Sequence, residues 1–346
     1  MNYNWLEIKQ PLLKWYRKEH RDLKWRNTKN PYYIWISEIM LQQTRVEAVK
    51  DYYGRFINEI PDIESLANIS EERLLKLWEG LGYYNRARNL QKAAIIVMDY
   101  YNGIFPVDYK SVLSLPGIGE YTAGAICSIC YDDKTPAVDG NVLRVMTRLS
   151  ECYDNIDNQS TKSKARQELL LLYESGDCGE LTQALMELGA MVCVPNGAPQ
   201  CEKCPLQSQC KAFEHGSYSD LPVRKEKKKR KIEEMTVFVL HDDDQYGIRK
   251  RKSTGLLANM WEFPHVEKIM NVETAMQYIS DAGYEPVLLE KEIPYTHIFS
   301  HVEWRMIAYY ISCRKKQSDL TWVNKKEFEQ QYALPTAFKT FIEKEF

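Results

Sequence analysis

Leu115-Pro116-Gly117-Ile118-Gly119-Glu120-Tyr121 is continued by Thr122-Ala123-Gly124-Ala125-Ile126 and, after more helical pattern, by Pro136-Ala137-Val138-Asp139-Gly140-Asn141. Gly117 and Gly119 fall where one helix stops and another starts, so the backbone is free to take positive φ and to approach a partner with no Cβ in the way. The N–H groups that open the second helix make an anion site. In a nucleic-acid setting the anion is a DNA phosphate, held without reading any base. An ordinary helix–turn–helix corner is the plain alternative, but the small-residue helix and the Val138-Asp139-Gly140-Asn141 that follow are more particular than such a corner requires.

Outward from this stretch, the 346 residues are enough for two or three domains, and 44% hydrophobic with 27% charged residues is a globular composition. The net charge of -2 carries no global signal for nucleic acid, so any such binding must depend on local basic surface. Met1 to Gln10 lack a basic segment leading into an apolar one, and no apolar run approaches the ~20 residues of a membrane span, so a cytoplasmic, nucleoid-associated protein with no membrane role is expected.

From Leu6 to about Leu206 apolar residues recur at three- and four-residue intervals, with breaks at Asn30-Pro31, Ile60-Pro61, Gly80 to Gly82, Phe105-Pro106, Pro116 to Gly119 and Gly176. The pattern predicts an all-α domain over 1–219. Residues 220–231 carry seven basic side chains against two acids and little to bury, which reads as a linker over 220–232. Met235 to Leu240 and Val302 to Cys313 are rich in β-branched and aromatic residues, with helical patterns near 272–283 and 336–345, so 233–346 is expected to be α+β.

The nine cysteines, in a chain without a secretion signal, suggest reduced thiols or metal ligands rather than a disulfide framework. Cys193, Cys201, Cys204 and Cys210 lie in one loop, spaced Cys-x7-Cys-x2-Cys-x5-Cys. Four thiolates this close can surround one compact cofactor. A [4Fe–4S] cluster takes four, whereas structural zinc more often uses two Cys-x2-Cys knuckles, of which this loop has one. Iron–sulfur is therefore favoured over zinc, and four unliganded thiols come third. Cys127 and Cys130, beside Ile126 and Ile129, read as core thiols.

Two carboxylates stand out. On a helix Glu38 has Ile34, Trp35, Leu41 and Gln42 as neighbours, and three apolar side chains would desolvate it and raise its pKa, the condition for a proton donor near neutral pH. Asp139 has the opposite setting, with backbone N–H groups and the Asn141 amide placed to keep it ionised; capping of the next helix accounts for it equally well. As a pair they suit glycosidic bond cleavage, in which one acid protonates the leaving group and one carboxylate stabilises an oxocarbenium-like centre.

Together with Trp78 to Leu90, Gln183 to Ala190 and Gly255 to Pro264, these residues make the chain similar over nearly its whole length to the adenine DNA glycosylases of the MutY type. These are helix-hairpin-helix, iron–sulfur base-excision enzymes with a Nudix-like second domain. The resemblance implies removal of adenine mispaired with 8-oxoguanine or guanine in duplex DNA, with the base flipped out of the stack. It implies that Glu38 protonates N7, that Asp139 stabilises or traps the sugar cation, and that Tyr121 and Asn141 support that centre. It places Arg21, Trp25 and Gln183 around the extruded adenine and assigns DNA contacts to Gln43, Thr44, Leu81, Tyr83, Gly117 and Gly119. Of these, Gln43 and Tyr83 match residues that enter the duplex stack. It makes Cys193, Cys201, Cys204 and Cys210 ligands of a [4Fe–4S] cluster and gives Phe299, Ser300 and His301 the lesion-reading turn.

Related bifunctional enzymes of the endonuclease III type carry a lysine where this chain has Tyr121, so the resemblance implies a monofunctional enzyme. The glutamate-rich box of pyrophosphate-hydrolysing Nudix enzymes is missing, and the second domain is assigned no catalysis. The chain departs from the family's common pattern in the seven residues between Cys193 and Cys201, commonly six, and at Thr182, Lys24 and Asn259, where asparagine, proline and glycine are usual. A bifunctional glycosylase/abasic-site lyase and a non-catalytic DNA-binding iron–sulfur protein are the alternatives. A monomer is expected, since one lesion needs only one copy.

Overall fold

The computed structural model describes residues 3–174, 176–226, 229–314, 317 and 319–343. By contact the chain falls into two compact units, Met1–Asn68 with Arg88–Glu226, and Ile69–Ala87 with Lys227–Phe346. Residues 69–87 thus group by contact with the second unit.

The centre of the first unit is the helix Pro31–Leu41. Asn30 caps it by accepting from the Tyr32 N–H at 2.9 Å, and Pro31 takes the first-turn position where no amide donor is needed. Tyr32 and every residue from Ile34 to Met40 are buried, so this helix is packed all round and carries Glu38 into the core. It packs against the helices Glu120–Tyr131 and Val46–Glu59. The helix Cys178–Met191 in turn lies against Glu120–Tyr131, Lys9–Glu19 and Gly140–Ser150.

The hairpin around Gly117 is formed by the helices Tyr109–Ser114 and Glu120–Tyr131. Gly117 has φ +79°, and a Cβ there would lie 2.7 Å from Cβ of Asn89, so both backbone and space demand glycine. Gly119 differs from expectation. It is the N-cap of the second helix in an extended conformation, φ -97°, with open space around it; its value is access, not a left-handed turn.

In the second unit, β1 (Lys231–Asp242), β2 (Gln245–Lys250), β3 (Trp261–Glu262), β4 (His265–Val266), β5 (Pro286–Ile298), β6 (Val302–Cys313) and β7 (Thr321–Asn324) form one mixed sheet in the order β3-β2-β1-β6-β5, with β4 on β1 and β7 on β2. The two segments read as strands, β1 and β6, pair in parallel at its centre, Met235 opposite Met306 and Val239 opposite Tyr310. Both faces of β1 are covered. Met235, Val237 and Val239 join the cluster of Phe328, Ala337, Phe338 and Phe341, while Phe238 and Leu240 join that of Ala275 and Ile279. Lys325–Gln330 and Thr336–Glu343 therefore supply one layer and Val272–Asp281 the other.

The basic segment is less of a tether than its composition suggests. Lys227 and Lys228 lie outside the described residues. On the first unit, however, Leu221 is buried, the Ile156 N–H donates to the Val223 carbonyl at 3.0 Å and the Lys225 N–H to Asp157 at 3.0 Å. In the second, Arg230 Nε donates to the Phe299 carbonyl at 3.1 Å.

Candidate active site

The first unit brings Glu38, Tyr121, Asp139 and Asn141 together from the helices Pro31–Leu41 and Glu120–Tyr131 and the start of Gly140–Ser150. Glu38 is 5% exposed, and the Tyr121 hydroxyl donates to its Oε2 at 2.7 Å. Burial raises the Glu38 pKa; the Tyr121 hydrogen bond and the Arg26 charge oppose that rise, and the Asp139 charge adds to it. Burial also raises the Tyr121 phenol well above its ordinary value, so it stays a donor.

Asp139 is the N-cap of Gly140–Ser150, accepting from the Val142 N–H at 2.7 Å and from Asn141 Nδ2 at 2.8 Å. The capping role and the site role thus coincide in one carboxylate. Its electrostatics correct the sequence reading in part: burial outweighs these two donors, and its pKa is raised, as that of Glu38 is. The two carboxyls differ in partners, since Asp139 accepts a backbone N–H and an amide while Glu38 accepts a phenol.

Arg26, whose charge acts on Glu38, belongs to a buried ionic cluster that the sequence reading missed. Glu187, whose side chain is fully buried, receives Arg21 Nε in a short contact, Arg21 Nη2 at 3.2 Å and Arg26 Nη2 at 2.6 Å. Burial raises the Glu187 pKa, but the Arg21 hydrogen bond and the Arg26 and Arg21 charges prevail and hold it below the usual glutamate value. A glutamate set among Leu185, Met186 and Leu188 was the available signal, the same one that singled out Glu38. Gln183 is joined to the Tyr16 hydroxyl by a short hydrogen bond. Trp25 is 4% exposed and packs edge-on against Tyr53, ring centroids 5.2 Å apart, as a core aromatic does.

Arg144 and Arg148 were also missed. Arg144 donates to Asn141 Oδ1 at 2.9 Å, to the Gly189 carbonyl at 2.7 Å and to the Cys193 carbonyl at 2.7 Å. Gly189 is required here, because a Cβ would sit 2.7 Å from Cβ of Asn141. Arg148 Nη1 lies 3.3 Å from Cys193 Sγ. Cys193, Cys201, Cys204 and Cys210 line one cavity whose other walls include Val145, Leu149, Leu188 and Val192. Among the described residues no group of three or more His, Cys, Asp or Glu is closed around the position of a single metal ion. Cys127 is buried, and burial pushes the Cys127 and Cys130 thiols up to about 12, as suits core thiols.

The residues assigned to DNA divide by exposure. Gln43 is exposed at φ +57°, and Tyr83, in the second unit, is 47% exposed at φ +49°. A left-handed backbone at a glutamine and at a tyrosine is strain that a structure keeps only where something fixes it, and such sites cluster at functional positions. Thr44 is half-buried and its hydroxyl donates to the Gln42 carbonyl at 3.3 Å. Leu81 is 6% exposed, a buried side chain. At the hairpin, Glu120 follows the open Gly119, and its charge is met by Arg166 at 2.9 Å.

In the second unit Phe299, Ser300 and His301 form the turn between β5 and β6, closed by the Phe299 N–H on the Val302 carbonyl at 2.9 Å. The Phe299 ring is half-buried against His297 and Trp304, at 4.6 and 4.8 Å, while Ser300 and His301 are exposed and 3.2 Å apart. Arg230 Nε and the Lys231 N–H hold the Phe299 and His301 carbonyls.

This fold and these residues define a class. Residues 36–174 match the HhH-GPD superfamily of base excision DNA repair proteins and 236–344 the NUDIX domain. Among solved structures the chain resembles a thermostable thymine-DNA glycosylase, 29% identical with a TM-score of 0.54, covering 60% of this chain and 96% of that one. It also resembles an endonuclease III trapped as a covalent intermediate with DNA, 25% identical with a TM-score of 0.51, covering 59% of this chain and 93% of that one.

The adenine DNA glycosylase of Buchnera aphidicola (strain APS) is 32% identical over 96% of both chains, and that of Homo sapiens is 31% identical over 95% of this chain and 72% of its own. The chain belongs to the adenine DNA glycosylase family, and is a base-excision DNA glycosylase that hydrolyses N-glycosyl bonds.

Proposed function

We propose that the substrate is adenine mispaired with 8-oxoguanine, or with guanine, in duplex DNA, and that the chain acts on it as a monofunctional glycosylase and as a monomer. The observation that carries this is the buried Glu38 held by Tyr121, with Asp139 in the same site. An enzyme reaches such a base only by flipping it from the stack. Glu38, whose protonated form burial favours, then gives its proton to adenine N7. The C1′–N9 bond breaks with its electron pair leaving on the base, and a cation is left on the sugar. Asp139 stabilises or traps that cation, and water adds at C1′ with loss of a proton. Arg26 Nε, buried and without a hydrogen-bond partner, is a donor of the kind a base pocket uses.

Tyr121 carries no amine, so no Schiff base with the abasic sugar is available there, which favours base release without strand cleavage. Four thiols around one cavity, with Arg148 against Cys193, fit a [4Fe–4S] cluster. Bound, the cluster would tie the loop from Cys193 to Cys210 to one centre. The exposed Ser300 and His301, beside Phe299, are placed on a turn suited to reading the base opposite adenine.

The test is single-turnover base release from duplexes with adenine opposite 8-oxoguanine, guanine or thymine, quenched with and without alkali. Fastest release opposite 8-oxoguanine, with nicks only after alkali, is the expected result. Nicks without alkali would favour the bifunctional reading, and tight binding with no release the non-catalytic one.

A further inference from the structure

The helix Glu71–Leu77 and the loop after it are packed in the second unit, although the chain before Ile69 and after Ala87 belongs to the first. At the end of that helix Lys76 and Glu79 form a 2.8 Å ion pair, with side chains only 9% and 10% exposed. Lys76 Nζ also donates to the Phe328 carbonyl at 2.6 Å and the Tyr332 carbonyl at 3.0 Å. Every proton of the ammonium is thus used, and two of them satisfy carbonyls in and just after the helix Lys325–Gln330, where a cation is favoured. Glu79 accepts in turn from the Leu334 N–H at 2.9 Å, and Lys339 lies 3.8 Å from it. Around the pair, Arg73 donates to the Gln330 carbonyl at 3.3 Å, Asn259 to Glu71 at 3.0 Å and the Trp261 indole to Glu72 at 2.9 Å.

Immediately beyond Glu79 the chain turns at Gly80 and Gly82, both at positive φ, and presents Tyr83. This turn is braced from within its own segment: Trp78 Nε1 donates to the Gly82 carbonyl at 3.2 Å, and Arg86 donates to the carbonyls of Leu81 at 2.9 Å and Gly82 at 3.0 Å. A buried ion pair adds little net stability because desolvation offsets its attraction; what it supplies is register. Here the register is that of the Tyr83 turn relative to the sheet that carries Phe299, Ser300 and His301.

We infer that Lys76 and Glu79 are positioning residues, a clasp by which the lesion-reading unit sets where Tyr83 enters the duplex, so that reading the opposite base and wedging the stack are one mechanical event. This rests on the reading above that Tyr83 is a wedge and that the 299–301 turn faces the lesion.

The experiment uses the full chain with Lys76→Met, and Lys76→Arg as the conservative variant. Two readouts are taken: the ratio of single-turnover rates opposite 8-oxoguanine and guanine, and the brightening of a 2-aminopurine beside the target adenine when the protein binds. With Lys76→Met the ratio falls on the order of tenfold and the brightening is lost, and Lys76→Arg restores part of both. A lowered melting temperature with ratio and brightening intact would overturn the clasp and leave a purely structural ion pair. If Lys76→Met does not fold, Glu79→Gln, which removes only a charge, is read the same way. A wild-type chain that shows no preference for 8-oxoguanine would overturn the proposed substrate instead, and the fluorescence arm still decides the clasp.

Discussion

The Tyr121 hydroxyl donates to Oε2 of Glu38 at 2.7 Å, tying the second helix of the hairpin to a buried acid of the site. That hydrogen bond favours the carboxylate and so works against the rise that burial imposes on Glu38. Tyr121→Phe removes it and lets the pKa rise further. Base release that needs protonated Glu38 declines as pH climbs through that pKa, so in the variant the decline moves to higher pH. The pH profile of single-turnover release checks this; a shift to lower pH would place the control of Glu38 elsewhere.

Glu38→Gln keeps an acceptor for Tyr121 but has no proton to give. Base release is expected to fall by ~10²–10⁴, the usual contribution of a positioned acid, while duplex affinity and melting temperature hold. Release at the wild-type rate would remove Glu38 from the mechanism.

Glu187→Ala strands Arg21 and Arg26, two guanidiniums that share one buried carboxylate. Breaking a buried pair in this way costs about 3–5 kcal/mol. The Glu187 pKa is lowered in the folded chain, so its contribution is present above the ordinary glutamate range and is lost as pH falls through the folded value. Wild-type and variant stabilities, compared by denaturant unfolding, should therefore converge in acid and differ most near neutrality.

Gly117→Ala meets both a left-handed backbone, worth ~1–2 kcal/mol against any residue with a Cβ, and the close approach of Asn89. Loss of duplex affinity beyond the loss of thermal stability is expected, measured by binding on both damaged and undamaged duplexes. Equal affinity would mean that the hairpin turn is structural and not a phosphate site.

Cys204→Ser is expected to abolish the visible absorbance of an iron–sulfur cluster and to lower base release, since the 193–210 loop then lacks one of its four ties. Full absorbance in the purified variant would exclude Cys204 as a ligand.

Much of the site was legible in the chain because its chemistry is local. An acid flanked by Ile34, Trp35 and Leu41, a turn that only glycine can make at 117, an aspartate at a helix start and four thiols in one loop each leave a mark within a short stretch of chain. Glu187 left the same mark as Glu38, yet its function depends on arginines more than 150 positions away, and pairing over that distance has no local signature. Arg144 and Arg148 look like surface cations by residue type, and only packing buries them at 3% and 5% exposure.

Periodicity, turn chemistry and spacing act over short range, and they alone revealed the helical character of the first unit, the central strands 235–240 and 302–313 of the second, and the candidate acids and thiols. Long-range packing, by contrast, makes Gly119 extended, raises the pKa of Asp139 where local donors would depress it, buries Leu81, and groups residues 69–87 with the second unit. Each of these depends on what neighbouring segments desolvate or cover, and burial is a property of the assembled chain.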